Sequence, residues 1–123
     1  MATHSDFGKI AEDLAAEFLL KNGYTILVRN FRFQKSEIDI IAEKESLIII
    51  VEVKARSTDA FMLPQEAVTK AKIKSIVSAA NYFMEEFNKN QEVRFDIISV
   101  LPDEKKNLII EHIINAFEAL DAN

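Results

Sequence analysis

Cysteine is absent from the 123 residues. That excludes disulfides, a thiolate nucleophile and a zinc–cysteine centre, and it suits a reducing compartment. Glycine and proline occur only twice each, and there is no low-complexity stretch, internal repeat or linker. The chain therefore reads as a single domain over residues 1–123. Long hydrophobic runs are also missing. The longest purely apolar run, Leu47 to Val51, is far short of the roughly 20 residues a bilayer needs. The start, Met1-Ala2-Thr3-His4-Ser5-Asp6, has no basic n-region and no apolar h-region, so no secretory signal is expected. A soluble, cytoplasmic protein that makes no membrane contact is the expectation.

The chain that remains is acidic, with a formal net charge of -5. Indiscriminate nucleic-acid binding runs on phosphate neutralisation, so this balance weighs against it. A local basic face stays compatible, because the sign of the total says little about one surface. Apolar residues make up 49% of the chain. A chain of this size buries roughly two thirds of its unfolded surface and needs no covalent staple.

Periodicity divides the chain into alternating elements. Phe7, Ile10, Ala11, Leu14, Ala15 and Phe18 recur at helical spacing, which predicts a helix over 7–22. Ser5 or Asp6 could cap its start and Gly23 its end. Strands are predicted over 24–30, 37–43 and 47–55. Apolar residues on both faces of Leu47–Val51 make the third strand central and covered on both sides. Pro64 suits the first turn of a long helix. The core stripe of that helix is Ile73, Ile76, Val77, Ala80, Phe83, Met84 and Phe87, with Lys70, Lys72 and Lys74 in its early turns. Strands over 93–101 and 108–113 and a tail or short helix over 115–123 complete the order αβββαββ. The expected fold class is α/β, a mixed sheet of about five strands flanked by helices.

Two strand segments carry the candidate chemistry: Ser36-Glu37-Ile38-Asp39-Ile40-Ile41 and Ile50-Val51-Glu52-Val53-Lys54. Side chains alternate along a strand, so Glu52 and Lys54 share a face, as do Glu37 and Asp39. A tight turn at Glu45-Ser46 places Asp39 opposite Glu52 and Glu37 opposite Lys54. Opposed Cβ atoms lie about 4.5 to 5.5 Å apart, and a slip of one residue would destroy the arrangement. Two close carboxylates repel unless a cation or proton neutralises them. A hard oxygen site with few carboxylates suits Mg²⁺, which keeps waters and takes phosphate oxygens. Such an ion activates water for in-line displacement, and a nearby lysine can stabilise the developing charge. The same residues also admit an ordinary reading, a polar strand end with a Glu37–Lys54 surface pair. An unpaired carboxylate inside a central strand is costly, and that weighs towards the metal site.

The order of motifs resembles the YraN-type family of bacterial proteins, placed among PD-(D/E)xK nucleases with a restriction endonuclease-like, Holliday junction resolvase-like fold. The matching residues are Gly8 and Glu12, then Gly23-Tyr24, Arg29-Asn30-Phe31-Arg32, Glu37-Ile38-Asp39 and Val51-Glu52-Val53-Lys54-Ala55-Arg56. Glu66-Ala67-Val68 with Lys72, and Arg94-Phe95-Asp96, also fit. The family glycines before Glu12 and Glu37 are here Ala11 and Ser36; alanine is harmless in a helix, and Ser36 alters at most a turn.

The resemblance implies a metal-dependent endonuclease that hydrolyses phosphodiester bonds of duplex or branched DNA. Asp39 and Glu52 would hold Mg²⁺ or Mn²⁺, Lys54 would be the catalytic lysine, and Glu12 would join the catalytic set. Arg32, Arg56 and Lys72 would contact nucleic-acid phosphates. A homodimer would suit a four-way junction. Gln65, His4 and His112 carry no assigned role, Asp96 is expected to be a structural hydrogen-bond partner, and Met62 and Met84 belong to the core or its edge. Two other classes remain compatible with the acidic balance: a non-catalytic nucleic-acid-binding module and a protein-interaction domain.

Overall fold

The computed structural model describes residues 4–56 and 68–122. Helix α1 runs His4–Lys21, so Ser5 and Asp6 lie inside its first turn rather than ahead of it. Asp6 is favourable there, since a carboxylate suits the positive end of the helix dipole. The helix stops as expected at Gly23, whose φ of +86° is open to glycine without the Cβ penalty. The Tyr24 N–H then reaches back to the Leu19 carbonyl at 3.0 Å, closing off an end carbonyl. Ala11, Ala15, Ala16 and Leu19 form its buried face. Ile10, expected in the stripe, is 43% exposed, because the helix turns its small alanines towards the sheet.

Five strands follow in the spatial order β1-β2-β3-β4-β5: β1 Thr25–Phe33, β2 Ser36–Lys44, β3 Leu47–Ala55, β4 Glu92–Pro102 and β5 Leu108–Phe117. The β3–β4 pair is parallel and the others antiparallel. Helix α2, Lys70–Glu86, lies in the β3–β4 connection, because parallel neighbours need a long crossover. Thr69 caps α2, its Oγ1 accepting from the Lys72 N–H at 3.1 Å. Pro64, Gln65 and Met62 lie outside the described residues.

The helices cover opposite faces of the sheet. On the α1 side, Ile40, Ile49, Val51, Ile98 and Val100 are fully buried. On the α2 side, Ile48, Ile50, Ile76, Phe83, Phe95 and Ile97 form the other core. Burying one such side chain stabilises the fold by about 1.5–3 kcal/mol. The order αβββαββ and the central, doubly covered β3 match the sequence reading. Several boundaries differ. Strand β1 runs on to Phe33, past the expected end at residue 30. Strand β5 continues to Phe117, through residues expected in the tail, and only Ala119–Ala122 form a 3₁₀ turn. Phe87 lies past the end of α2 and is 54% exposed, while Ala79 takes a buried place.

Candidate active site

Glu45 and Ser46 adopt φ of +50° and +72°, the tight hairpin geometry that matches strand twist. The turn sets the expected β2–β3 register, from Lys44↔Leu47 to Ile40↔Val51. The pairing then stops, one residue short of Asp39. Ile38 packs on the α2 side and Ile40 on the α1 side, although residues two apart in a regular strand share a face. The neighbouring β1 turns over at the same level. Arg29 reaches the acids of α1, whereas Phe31 lies against Phe83 of α2. Between them Asn30 adopts φ +55°.

This reversal frees the Asp39 side chain to lie between β2 and β3, where its Oδ2 accepts a hydrogen bond from the Val53 N–H at 2.8 Å. Burial pushes its pKa up to about 7, helped by the Glu52 charge and opposed by the Val53 hydrogen bond. Glu12 adds a further raising charge.

Glu52 is only 5% exposed. Its Oε1 lies 3.3 Å from Lys72 Nζ and 3.9 Å from Lys54 Nζ. Its Oε2 is buried without a hydrogen-bond partner among the described residues. Burial raises its pKa against the pull of the two ammonium groups. Lys72 is therefore closer to Glu52 than Lys54 is. The expected Glu37–Lys54 pair is not what forms: Glu37 instead binds Arg32 at 2.9 Å. Past Val51 the strands no longer pair, and Lys54 turns to its own strand neighbour Glu52.

On the α1 side a cavity of about 430 Å³ lies beside Asp39, lined also by Gly8, Lys9, Glu12, Arg29 and Asn30. Arg29 Nη2 sits 3.4 Å from Glu12 Oε1 and 2.7 Å from Asp13 Oδ1. Glu12 thus approaches Asp39 from one face of the sheet, while Glu52, Lys54 and Lys72 lie towards α2 on the other. Sequence reasoning missed Lys9 and Arg29. Arg29 stands in the quoted Arg29-Asn30-Phe31-Arg32 segment, but a register shift between Ile26 and Val28 of β1 precedes it, and no period of two foretells that it faces α1. Arg32 is mostly exposed. Arg56 donates its N–H to the Val100 carbonyl at 2.9 Å, and its Nε is buried without a partner among the described residues.

Asp96 belongs elsewhere. It accepts from Arg94 at 2.8 and 2.9 Å and from the Asn115 N–H at 3.0 Å, and it lies 2.7 Å from His112 Nε2. Burial works against its charge, but His112 and Arg94 outweigh that and hold the carboxyl below its ordinary range. His112 also packs edge-on against Phe18 and Tyr24. Asp96 is thus the structural partner expected, and His112 is part of the same fixed network.

Among the described residues, no three or more His, Cys, Asp or Glu side chains cluster closely enough to hold a metal ion. The available oxygen donors are the pair Asp39 and Glu52. A buried Glu52 Oε2 with no partner among the described residues and two carboxyls raised by burial, that of Asp39 also by the Glu52 charge, fit a hard cation. Mg²⁺ and Mn²⁺ accept few carboxylates and complete their shells with water or phosphate oxygens.

A mixed five-stranded sheet between two helices, in the order αβββαββ, places the protein in the restriction endonuclease-like α/β class. Residues 11–100 match the uncharacterised protein family UPF0102, and the chain belongs to that family. The UPF0102 protein of Flavobacterium psychrophilum is 51% identical over 95% of this chain and 98% of its own length. Those of Christiangramia forsetii and Bacteroides thetaiotaomicron are 45% and 46% identical, each over 95% of this chain and 98% and 96% of their own lengths. Among solved structures, Pyrococcus furiosus SfsA in complex with Ca²⁺ aligns with TM-score 0.38 and 15% identity, over 89% of this chain and 63% of that one. No described helix is long and apolar enough to cross a membrane.

Proposed function

We propose that the protein is a metal-dependent endonuclease that hydrolyses phosphodiester bonds of duplex or branched DNA. The observation that carries this reading is the Asp39–Glu52 pair: two desolvated carboxylates, one with a buried oxygen that has no partner among the described residues, beside the Lys54 ammonium. Asp39 and Glu52 would hold Mg²⁺ or Mn²⁺. When bound, the ion supplies an activated water and stabilises the charge that develops on the phosphate.

The remaining roles belong to the chain. The Val53 N–H fixes Asp39, so the carboxylate is preorganised. Lys54, beside Glu52, would stabilise negative charge on the reacting phosphate. Glu12 adds a carboxylate from the other face of Asp39. Arg32 and Arg56 would contact flanking phosphates, a local attraction that the net charge of -5 does not preclude. A two-fold homodimer would present two such sites to one junction.

The test is cleavage of labelled four-way-junction, duplex and single-stranded DNA with Mg²⁺ or Mn²⁺, beside Glu52→Gln and Lys54→Ala. Cutting by wild type alone assigns the activity to this site, and paired symmetric cuts on the junction support the dimer. Intact DNA with retained, salt-sensitive binding makes the protein a non-catalytic binding module. Neither cutting nor binding at low salt, where phosphate attraction is greatest, leaves a protein-interaction domain.

A further inference from the structure

Helix α2 begins with lysines at positions 70, 72 and 74 and has no acidic residue in its first turn. Cations there face the positive end of the helix dipole and are disfavoured. A local rule broken in this way points to a compensating role. Lys70 and Lys74 are exposed to solvent. Lys72 instead reaches Glu52, with its Nζ 3.3 Å from Oε1. Its place is fixed from behind, because the Thr69 cap accepts the Lys72 N–H at 3.1 Å.

The two ammonium groups differ in how firmly they are held. Lys54 projects from β3 itself and its side chain is 26% exposed. The Lys72 side chain is 41% exposed, so it can move into water with little repacking. Both address Oε1, which leaves Oε2 buried and without a partner among the described residues. Among the described residues Glu52 is thus compensated on one oxygen only, and the nearer of its two counter-charges is carried on a separate and more solvated element.

We propose that Lys72 is a tethered counter-cation: its ammonium occupies Glu52 in the metal-free protein, and a divalent cation must displace it into solvent to bind there. This rests on the reading of Asp39 and Glu52 as a cation site, and it replaces a phosphate contact as the resting role of Lys72. Lys72 is then a positioning residue. It helps to neutralise a buried carboxylate that would otherwise have only the more distant Lys54 as counter-charge among the described residues, and it sets the cation concentration at which the site fills. A divalent ion meets a like charge at its own ligand, so removing that charge strengthens binding.

The test is calorimetric titration of the full chain with Mn²⁺, without DNA, for wild type, Lys72→Gln, Lys72→Arg and Glu52→Gln, with thermal unfolding of each. Lys72→Gln is expected to bind Mn²⁺ on the order of tenfold more tightly than wild type, as expected for loss of one partly solvated unit charge. Lys72→Arg, which keeps the charge, should bind as wild type does. Lys72→Gln should also unfold at a lower temperature than wild type without Mn²⁺ and gain more from its addition. Binding by Lys72→Gln where wild type shows none would support the inference in its strongest form. Equal or weaker binding by Lys72→Gln, with Glu52→Gln silent, would overturn the counter-cation and leave the metal site standing. Absence of binding by both wild type and Lys72→Gln would overturn both.

Discussion

Oδ2 of Asp39 accepts the backbone N–H of Val53 at 2.8 Å, at the level where β2 and β3 have ceased to pair. A side chain here takes over a donor that a continued ladder would have used. The same bond holds Asp39 against the end of β3 that carries Glu52 and Lys54. Loss of ladder pairing and assembly of the site are therefore one event.

Asp39 makes stability fall with rising pH. Its folded pKa is raised from 3.8 to about 7, so the folded chain binds more protons than the unfolded chain between these values. The stabilisation is complete below about pH 4 and is lost as pH rises through 7. Urea unfolding from pH 4 to 8 without metal should show a decline of up to about 4 kcal/mol from this group, shared in part with Glu52. Asp39→Asn should flatten it, and an unchanged slope in that variant would refute the assignment.

Glu52→Gln should separate stability from chemistry. The amide keeps the shape but removes a buried charge, one oxygen of which has no partner among the described residues. Replacing a poorly compensated buried charge is often neutral or stabilising. The thermal midpoint without metal should stay level or rise, while any DNA cleavage falls at least about 100-fold. A variant that unfolds several degrees earlier would show that Glu52 is needed for the fold.

Asp96→Ala should act in the opposite way. It strips the partner from Arg94 and His112 and frees the Asn115 N–H. Uncompensated buried polar groups of this kind cost about 3–5 kcal/mol. Chemical denaturation gives the value, and a loss below about 1 kcal/mol would mean that water replaces the network.

Gly23→Ala tests the end of α1. The nearest atoms a Cβ would meet belong to the Lys44 side chain, at 3.7 Å, so space is available. The cost comes from φ +86° and should be about 1 kcal/mol, read from the thermal midpoint. No change would mean that the turn relaxes to another conformation.

The sequence by itself determined the elements, their order and the central place of β3, because helical and strand periodicities and an apolar run of both faces are local patterns. It also determined the hairpin register, since the turn at Glu45-Ser46 and the alternation of Ile40 to Val51 leave little choice. Gly23 was legible as a stop because only a positive φ closes α1 there. The tertiary structure decided what sequence numbers cannot carry: which side chains meet across elements. Asn30 and Asp39 reverse the faces of two strands together, and a period of two gives no warning of that. Lys9 of α1 and Arg29 of β1 both line the cavity beside Asp39, which no period of two foretells. Lys72, in the first turn of α2, meets Glu52 near the end of β3, a contact between residues 20 positions apart in sequence that no local pattern encodes.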